Sequence, residues 1–213
     1  MRRILFPPLF AALLVLLPGA GQAPPQRLLT FTPQQQADMD RVNAYLNGIH
    51  TLKSNFVQLG PDGQLDQGTF YLDRPGKLRF AFAAPSATLI VATDGKIYVR
   101  NTRLNTVNSY DISDTPLGIL LDGDVNLKTN KAILGVEEQS DALIVRARTS
   151  ANRNQSNITL VFSFPAVELR QWMVTDNQGG TTTVALTGTQ TGVQLDPSLF
   201  AAPVKTPAIK PGG

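Results

Sequence analysis

The strongest constraint on this sequence is a succession of short β-strand patterns separated by tight-turn residues. Asp94-Gly95 is the clearest turn, because an Asp-Gly pair between two apolar strands favours a two-residue type I′ hairpin. Connections this short join antiparallel neighbours, since parallel strands need a crossover of a dozen or more residues. Further turn signals lie at Gly60-Pro61-Asp62-Gly63, Pro75-Gly76 and Gly179-Gly180. The chain is therefore predicted to be mainly β, with about ten strands in one antiparallel, meandering sheet.

Within the predicted strands, apolar and polar residues tend to alternate. Leu78, Phe80 and Phe82 alternate with Arg79 and Ala81, so the three larger apolar side chains share one face. The predicted strands are Ser54–Leu59, Gly68–Arg74, Leu78–Phe82, Thr88–Thr93, Lys96–Arg100, Thr106–Asp111, Val136–Gln139, Ala142–Ala147, Asn157–Phe164, Leu169–Asp176 and Thr181–Gln190.

One amphipathic helix is predicted before the first strand. Thr32-Pro33 supplies an N-cap and a proline at the first helical position, and Gly48 is a candidate C-cap. An apolar stripe at helical spacing is formed by Met39, Val42, Tyr45 or Leu46, and Ile49. His50 follows this helix and is expected to be an exposed or locally bonded residue at the helix end.

A second, shorter helix is predicted between the strands, opening at Thr115-Pro116 and ending at Asp122-Gly123-Asp124. Its apolar residues are Leu117, Ile119, Leu120 and Leu121. A short helix that is apolar on most sides must be buried or must cover another apolar surface.

The two ends of the chain do not read as parts of the fold. Residues 1–23 carry Arg2 and Arg3 followed by an apolar run of 14 residues, which is typical of a cleaved secretory signal and too short to span a bilayer. The last residues, 204–213, are rich in Pro and Gly and are expected to be an extended tail. Residues 24–203 are therefore predicted to form one exported domain.

Composition excludes several classes of function. There is no cysteine and a single histidine, so disulfides, thiolate catalysis and a multi-histidine metal site are impossible. The formal charge of +3 falls further if Arg2 and Arg3 are removed, and aromatic residues do not alternate with Lys/Arg clusters. We therefore expect no nucleic-acid partner, metal or cofactor. No motif for nucleophilic or acid–base catalysis is found either, which favours a non-enzymatic function.

Two interpretations of the apolar sheet face and the two helices remain open from the residue pattern. The helices could fill the face and form an ordinary core, because apolar stripes usually indicate packing. Alternatively, the helices could form a lid over a cavity for an apolar ligand.

The segment from Gly68 to Phe80, with its strand, Arg74-Pro75 pair and following alternating strand, resembles the periplasmic outer-membrane lipoprotein carrier proteins, the LolA family. Other matching pieces follow in the family's order. They are Phe56-Val57-Gln58, Ile90 to Lys96, Thr115-Pro116-Leu117 and Leu195 to Phe200. The likeness covers residues 30–203. It implies an incomplete, unclosed antiparallel β-barrel with a helical lid over a hydrophobic cavity.

The resemblance also implies a function and partners. Members of the family carry the acyl chains of outer-membrane lipoproteins across the periplasm. They receive cargo from an ABC-type release complex of the inner membrane and pass it to an outer-membrane acceptor. We expect this chain to act in the same way, as a monomer. The alternative is an envelope lipid-binding or lipoprotein-sensing regulatory protein of the same fold without a transport role.

Site residues follow from the resemblance in the same way. The family arginine that matches Arg74 bonds to the lid backbone and latches the unloaded state, and Phe70 and Leu72 share its strand parity. The residues expected to line the acyl-chain cavity are Phe70, Leu72, Leu78, Phe80, Phe82, Leu89 and Val91. The residues expected on the lid are Leu117, Ile119 and Leu120.

Overall fold

The computed structural model describes residues 30–148 and 156–205, so the predicted signal at 1–23 and most of the predicted tail lie outside the described residues. The helices are α1 (Pro33–Gly48) and α2 (Gly118–Leu121), with 3₁₀ turns at Ile112–Asp114 and Pro197–Phe200. The strands are β1 (Thr51–Leu59), β2 (Leu65–Asp73), β3 (Lys77–Phe82), β4 (Thr88–Thr93), β5 (Lys96–Asn101), β6 (Thr106–Asp111), β7 (Ile133–Glu138), β8 (Ala142–Arg148), β9 (Asn157–Ser163), β10 (Leu169–Thr175) and β11 (Thr181–Thr191).

All eleven strands belong to one antiparallel sheet in the order β6-β5-β4-β3-β2-β1-β11-β10-β9-β8-β7. Within the described residues β6 and β7 are the two edges and do not pair with each other, so the sheet is not closed. This confirms the predicted mainly β, unclosed antiparallel architecture. Strands neighbouring in sequence are neighbours in the sheet, except β6 and β7, which lie at opposite edges. Among the described strands, the one pairing between strands distant in sequence is that of β1 with β11.

Short turns fix the register of the sheet. Asp94 and Gly95 have φ of 51° and 75°, the backbone that a type I′ turn requires. In the adjoining pairs of β3 and β4, Leu78 lies opposite Ala92 and Phe80 lies opposite Ile90. Directly opposed residues share a face, so the register decides which side chains line each face of the sheet.

α1 begins at the predicted N-cap. The Thr32 hydroxyl accepts a hydrogen bond from Gln35 N (3.2 Å), and the Gln35 side chain accepts one from Thr32 N (3.0 Å), which completes a capping box. The buried helix residues are Asp38, Met39, Val42 and Leu46. The C-cap is Ile49, in an extended conformation, and Gly48 is the last helical residue rather than the predicted cap.

α2 differs from its prediction. The predicted N-cap, Thr115, instead ends the 3₁₀ turn, and its hydroxyl donates to Ile112 O at 2.9 Å. α2 is a single turn whose N-cap is Leu117 and whose C-cap is Asp122. Because Thr115 adopts an extended backbone and its side chain bonds backwards, the Thr-Pro pair closes one turn and does not open the next.

The sheet has two faces with different surroundings. We call the face that carries Phe70, Leu78 and Phe80 the inner face, because the buried apolar residues of α1 and α2 belong to the same core cluster. On the opposite, outer face, the Pro197–Phe200 turn packs against β3 and β4. Arg79 Nη1 donates to Leu199 O there at 3.0 Å.

Candidate functional site

Five aromatic side chains form a continuous cluster on the inner face. Phe70 and Phe80 lie opposite each other on β2 and β3, with ring centroids 4.8 Å apart. Trp172 on β10 lies 5.6 Å from the Phe70 ring and 6.0 Å from the Phe80 ring. The Phe56 ring meets those of Phe80 at 5.2 Å and Phe82 at 5.0 Å, both edge to face. Rings at these distances and angles attract each other beyond their area burial.

Gly68 makes room for this cluster. It lies between Phe56 on β1 and Phe82 on β3 in the paired registers. A Cβ atom at Gly68 would lie 2.8 Å from Phe56 Cε1 and would clash with Ala81 O. The missing side chain therefore allows the Phe56 and Phe82 rings to meet across β2.

Most predicted cavity residues lie together on the inner face. Phe70, Leu72, Leu78 and Phe80 are buried there, and the half-buried Phe82 packs against the same core. They belong to the same hydrophobic cluster as the buried apolar residues of α1 and α2. The structure thus places these five residues together on one face of the sheet, and their role as the wall of an acyl-chain cavity stays a prediction.

Leu89 and Val91 are exceptions, and the prediction that they line the inner face is wrong. Leu89 lies opposite Ala81 and Val91 lies opposite Arg79, which places both side chains on the outer face. Val91 is nevertheless fully buried, because the Pro197–Phe200 turn covers that part of β4 and buries Phe200 as well. The β4 residues that face inward are Ile90 and Ala92.

Trp172 is one of the inner-face residues that were not predicted from the sequence; Phe56, Ile90 and Ala92 are others. The strand of Trp172 was predicted, but its face was not assigned. A signal existed: Trp172 pairs with Val184, and Val184 and Leu186 alternate with Ala185 and Thr187 along β11. Both apolar residues of β11 are buried in the inner core.

The predicted lid residues pack against this inner core. Leu120 is buried, whereas Leu117 and Ile119 are half-buried. Leu121, at the end of α2, is buried to the same degree as Leu120. Together with the buried face of α1, these residues cover the inner face. We call α1 and α2 together the lid.

Arg74 connects the sheet to both parts of the lid. It follows β2 directly and is only 8% exposed. Its Nε donates to Asp122 O at 2.8 Å, Nη2 donates to the same oxygen, and Nη1 donates to Leu46 O. These carbonyls lie at the C-terminal ends of α2 and α1, where helix carbonyls lack the usual i+4 partner. Leu46 O also accepts from Ile49 N at 3.3 Å. One guanidinium therefore bonds to both helix ends.

Burial lowers the pKa of the Arg74 guanidinium, and the Asp122 carboxylate partly opposes this shift. Arginine has so high an intrinsic pKa that it remains charged in proteins. The buried cation is held by backbone carbonyls, and removing it would leave these acceptors without a charged donor. Beside it, Gly76 N donates to Leu121 O at 2.9 Å, a second link between the sheet and α2.

Two asparagines on α1 hold the segment that follows α2. Asn47 Nδ2 donates to Val125 O (2.9 Å), and Asn47 Oδ1 accepts from Val125 N (2.8 Å). One turn earlier, Asn43 Oδ1 accepts from Leu127 N at 3.0 Å. Each side chain replaces backbone partners that an irregular segment lacks, so α1 and this segment are held together.

A cleft of about 210 Å³ lies between the α2 region and the end of the sheet formed by β7, β8 and β9. On one side it is lined by residues of the segment Ile112–Ile119, and on the other by residues of β7, β8 and β9 or their flanks, including Ala147 and Ile158. The cleft reaches the surface beside the lid, where the two sheet edges do not meet.

No helix in residues 30–148 and 156–205 is long and apolar enough to cross a membrane. No group of three or more His, Cys, Asp or Glu side chains in that part of the chain could hold a metal ion. His50 is exposed, and its carbonyl accepts a hydrogen bond from Arg74 N.

Comparison with known proteins supplies a family. The family model described as "Outer membrane lipoprotein carrier protein LolA" matches residues 47–203. The outer-membrane lipoprotein carrier protein of Methylococcus capsulatus is 27% identical over 178 residues, covering 79% of this chain and 82% of the relative. That of Dechloromonas aromatica is 28% identical over 177 residues, covering 78% and 82%. The solved structure of a LolA superfamily protein from Nitrosomonas europaea has a TM-score of 0.43 at 9% identity, covering 78% of this chain and 97% of that one. With three quarters of its length matched by the family model, this chain belongs to the LolA family of outer membrane lipoprotein carrier proteins.

Proposed function

We propose that this protein carries outer-membrane lipoproteins through the periplasm by shielding their acyl chains between the inner face of the sheet and the lid. Membership of the carrier family supports the general role. The need is physical, because each exposed acyl methylene costs about 0.8 kcal/mol in water. A lipoprotein with several chains cannot cross an aqueous compartment unless an apolar surface covers them.

The observation that carries this proposal is the position of Arg74. A carrier must cover an apolar surface when empty and must also expose it for loading. A single buried guanidinium that holds the ends of both α1 and α2 suits this requirement, because polar contacts at one point can be broken without unpacking the sheet. We assign Arg74 the role of a latch on the closed lid.

The acyl-chain site would form from residues that are now packed against the lid. We assign its wall to the inner-face residues Phe70, Leu72, Leu78, Phe80 and Phe82, together with Trp172. The moving cover would present Leu117, Ile119 and Leu120. These groups lie in one hydrophobic cluster, so bound cargo would replace one set of apolar contacts with another. No cofactor or catalytic step is required.

The proposed route follows from the cargo. Residues 1–23 would direct export and be removed, residues 24–203 would form the carrier domain, and residues 204–213 would be a tail. Cargo would come from an ABC-type release complex in the inner membrane and pass to an outer-membrane acceptor. The carrier would work as a monomer.

The experiment is recovery of the exported protein from periplasm, followed by mass spectrometry of the bound molecules. Wild type is compared with Arg74→Leu and with Arg79→Leu, which removes an arginine-to-carbonyl bond on the outer face. Acylated lipoproteins should be bound to wild type, enriched on Arg74→Leu and unchanged on Arg79→Leu. Free lipids without lipoproteins would favour the lipid-binding or sensing alternative, and no bound lipid on any variant would refute the proposal.

A further inference from the structure

The two edge strands, β7 and β6, differ in whether another part of the chain covers them. Beside β7, Gln35 Nε2 of α1 donates to Val136 O at 3.1 Å, and Gln34 Nε2 donates to Glu138 Oε2 at 3.0 Å. α1 thus covers that edge. β6, in contrast, pairs only with β5 among residues 30–148 and 156–205, and five of its six residues are exposed.

The backbone phase of β6 can be read from one hydrogen bond. Ile112 N donates to Gly95 O at 3.0 Å, immediately after the Lys96–Asp111 pair. Hydrogen-bonded and non-hydrogen-bonded pairs alternate in an antiparallel ladder. The backbone N–H and C=O groups of every second residue of β6 therefore bond to β5, and those of the residues between them point away from β5. The outward N–H and C=O groups belong to Val107, Ser109 and Asp111.

β6 also lacks the features by which proteins usually protect an edge strand. It is six residues long and contains neither proline nor lysine, and its one charge, on Asp111, is paired with Lys96 at 2.9 Å. An exposed strand of this kind can accept another extended chain through main-chain hydrogen bonds.

The strand leads directly into the cleft beside the lid. Ile112 and Ser113 follow β6 without a break and line that cleft, together with Thr115, Pro116 and Ile119 of the α2 region. A molecule whose apolar part entered beneath the lid at this point would leave its polar part next to β6.

We propose that β6 binds the polypeptide of the cargo, by pairing with the extended linker that follows the acylated N-terminus of a lipoprotein. This inference rests on the proposed carrier function. It identifies a second point of contact, the linker's backbone, in addition to the acyl chains. Main-chain pairing does not depend on side chains, so one edge strand serves linkers of different sequence.

The size of the effect follows from the number of exposed backbone groups. Three residues of β6 present outward donors and acceptors, and a short linker could pair with two to four of these groups. Since a hydrogen bond that replaces water contributes only modestly, we expect the linker to tighten binding by about tenfold relative to the acyl group alone.

The test uses two probes and two substitutions at one position. The probes are a triacylated cysteine amide and the same lipid carrying a ten-residue uncharged linker. Ser109→Pro removes the central outward N–H of β6 and places a ring where the linker would pair, while sparing the bonds to β5. Proline is tolerated on an edge strand where its nitrogen faces solvent. Ser109→Ala keeps the N–H and removes only the hydroxyl.

Wild type and Ser109→Ala should bind the linker probe about tenfold more tightly than the amide, and Ser109→Pro should bind both equally. A linker preference that persists in Ser109→Pro would overturn the inference. Failure of wild type to bind even the amide would instead overturn the proposed carrier function. Should Ser109→Pro fail to fold, a linker with alternate N-methylated amides replaces it, because wild type should show no preference for that probe.

A second copy of this chain is the competing occupant of β6. Sedimentation of the unloaded protein tests it, with a dimer in wild type and a monomer in Ser109→Pro as the result that would assign the edge to self-association. We expect both proteins to sediment as monomers.

Discussion

Replacing Arg74 with leucine should release the lid even when no cargo is present. The substitution removes a charged donor from two carbonyls, Asp122 O and Leu46 O. Hydrogen bonds to charged groups contribute about 1.5–3 kcal/mol each. The lower value applies because water can replace the donor at the exposed Asp122, and because Leu46 O keeps a hydrogen bond from Ile49 N. The loss is then about 3 kcal/mol, or roughly a hundredfold increase in the open population.

Amide hydrogen exchange of the unloaded protein measures this population directly, because exchange of a protected amide reports local opening. The amides to follow are those of Leu120, which bonds to Leu117 O, and Asp122, which bonds to Gly118 O. Both should exchange about a hundredfold faster in Arg74→Leu, while amides of β10 keep their wild-type rates.

Arg79→Leu is the matched control. Arg79 lies on the neighbouring strand β3, faces the opposite side of the sheet and also donates to a backbone carbonyl, that of Leu199. Its removal should leave exchange in α2 unchanged. The latch argument fails if α2 exchanges at the same rate in Arg74→Leu as in wild type, or if both variants accelerate it equally.

Three further predictions concern the faces, the packing and the pH dependence. Phe82→Gln should weaken binding of an acylated probe several-fold, because it places an amide on the inner face. Leu89→Gln, on the outer face, should leave binding unchanged. Equal losses in the two variants would contradict the assigned register. Gly68→Ala should lower stability by about 3 kcal/mol or more, measured as a fall in denaturation midpoint, because the new Cβ meets backbone and a ring; an unchanged midpoint would contradict the packing described. Burial raises the pKa of Asp38, and Glu138 raises it further, above the usual value of 3.8. The stability from Asp38 is therefore complete below that pH and declines as pH rises through the raised pKa. The Tm of Asp38→Asn should rise relative to that of wild type as the pH is raised from below 3.8, and a constant difference would refute this.

The parts of the fold that were predictable from the sequence are those determined by residues close to each other along the chain. Turn residues and alternation located all eleven strands, and β4 and β6 have the predicted bounds. The N-terminus of α1 was predictable because Thr32 and Gln35 are a complete local signal. The shared face of Leu78, Phe80 and Phe82 followed from strand parity, whereas Arg74 was singled out by the resemblance to the family, and Phe70 and Leu72 by their parity with it.

The parts that could not be predicted depend on distant contacts. In β4, Leu89 to Ala92 form an unbroken apolar run, so alternation gives no indication of which residues face inward. The outer face is buried there by Pro197–Phe200, which is separated from β4 by about a hundred residues. Thr115 was misassigned because a Thr-Pro pair suits both an N-cap and the end of a 3₁₀ turn, and only the bond from its hydroxyl to Ile112 O distinguishes them.

The central position of β1 has a consequence for the synthesis of this protein. β1, the first strand to be synthesised, pairs on one side with β11, the last. The two strands are also joined by Ser54 Oγ, which donates to Thr187 O, 133 positions later. A chain that emerges N-terminus first therefore displays Phe56, Phe70 and Phe80 on half a sheet, with a free edge at β1, until β11 has been produced. Aggregation is favoured in that interval, because an unpaired strand edge and an apolar surface are exposed together. Folding should accordingly be slow and should reach completion only after the C-terminal strand is released.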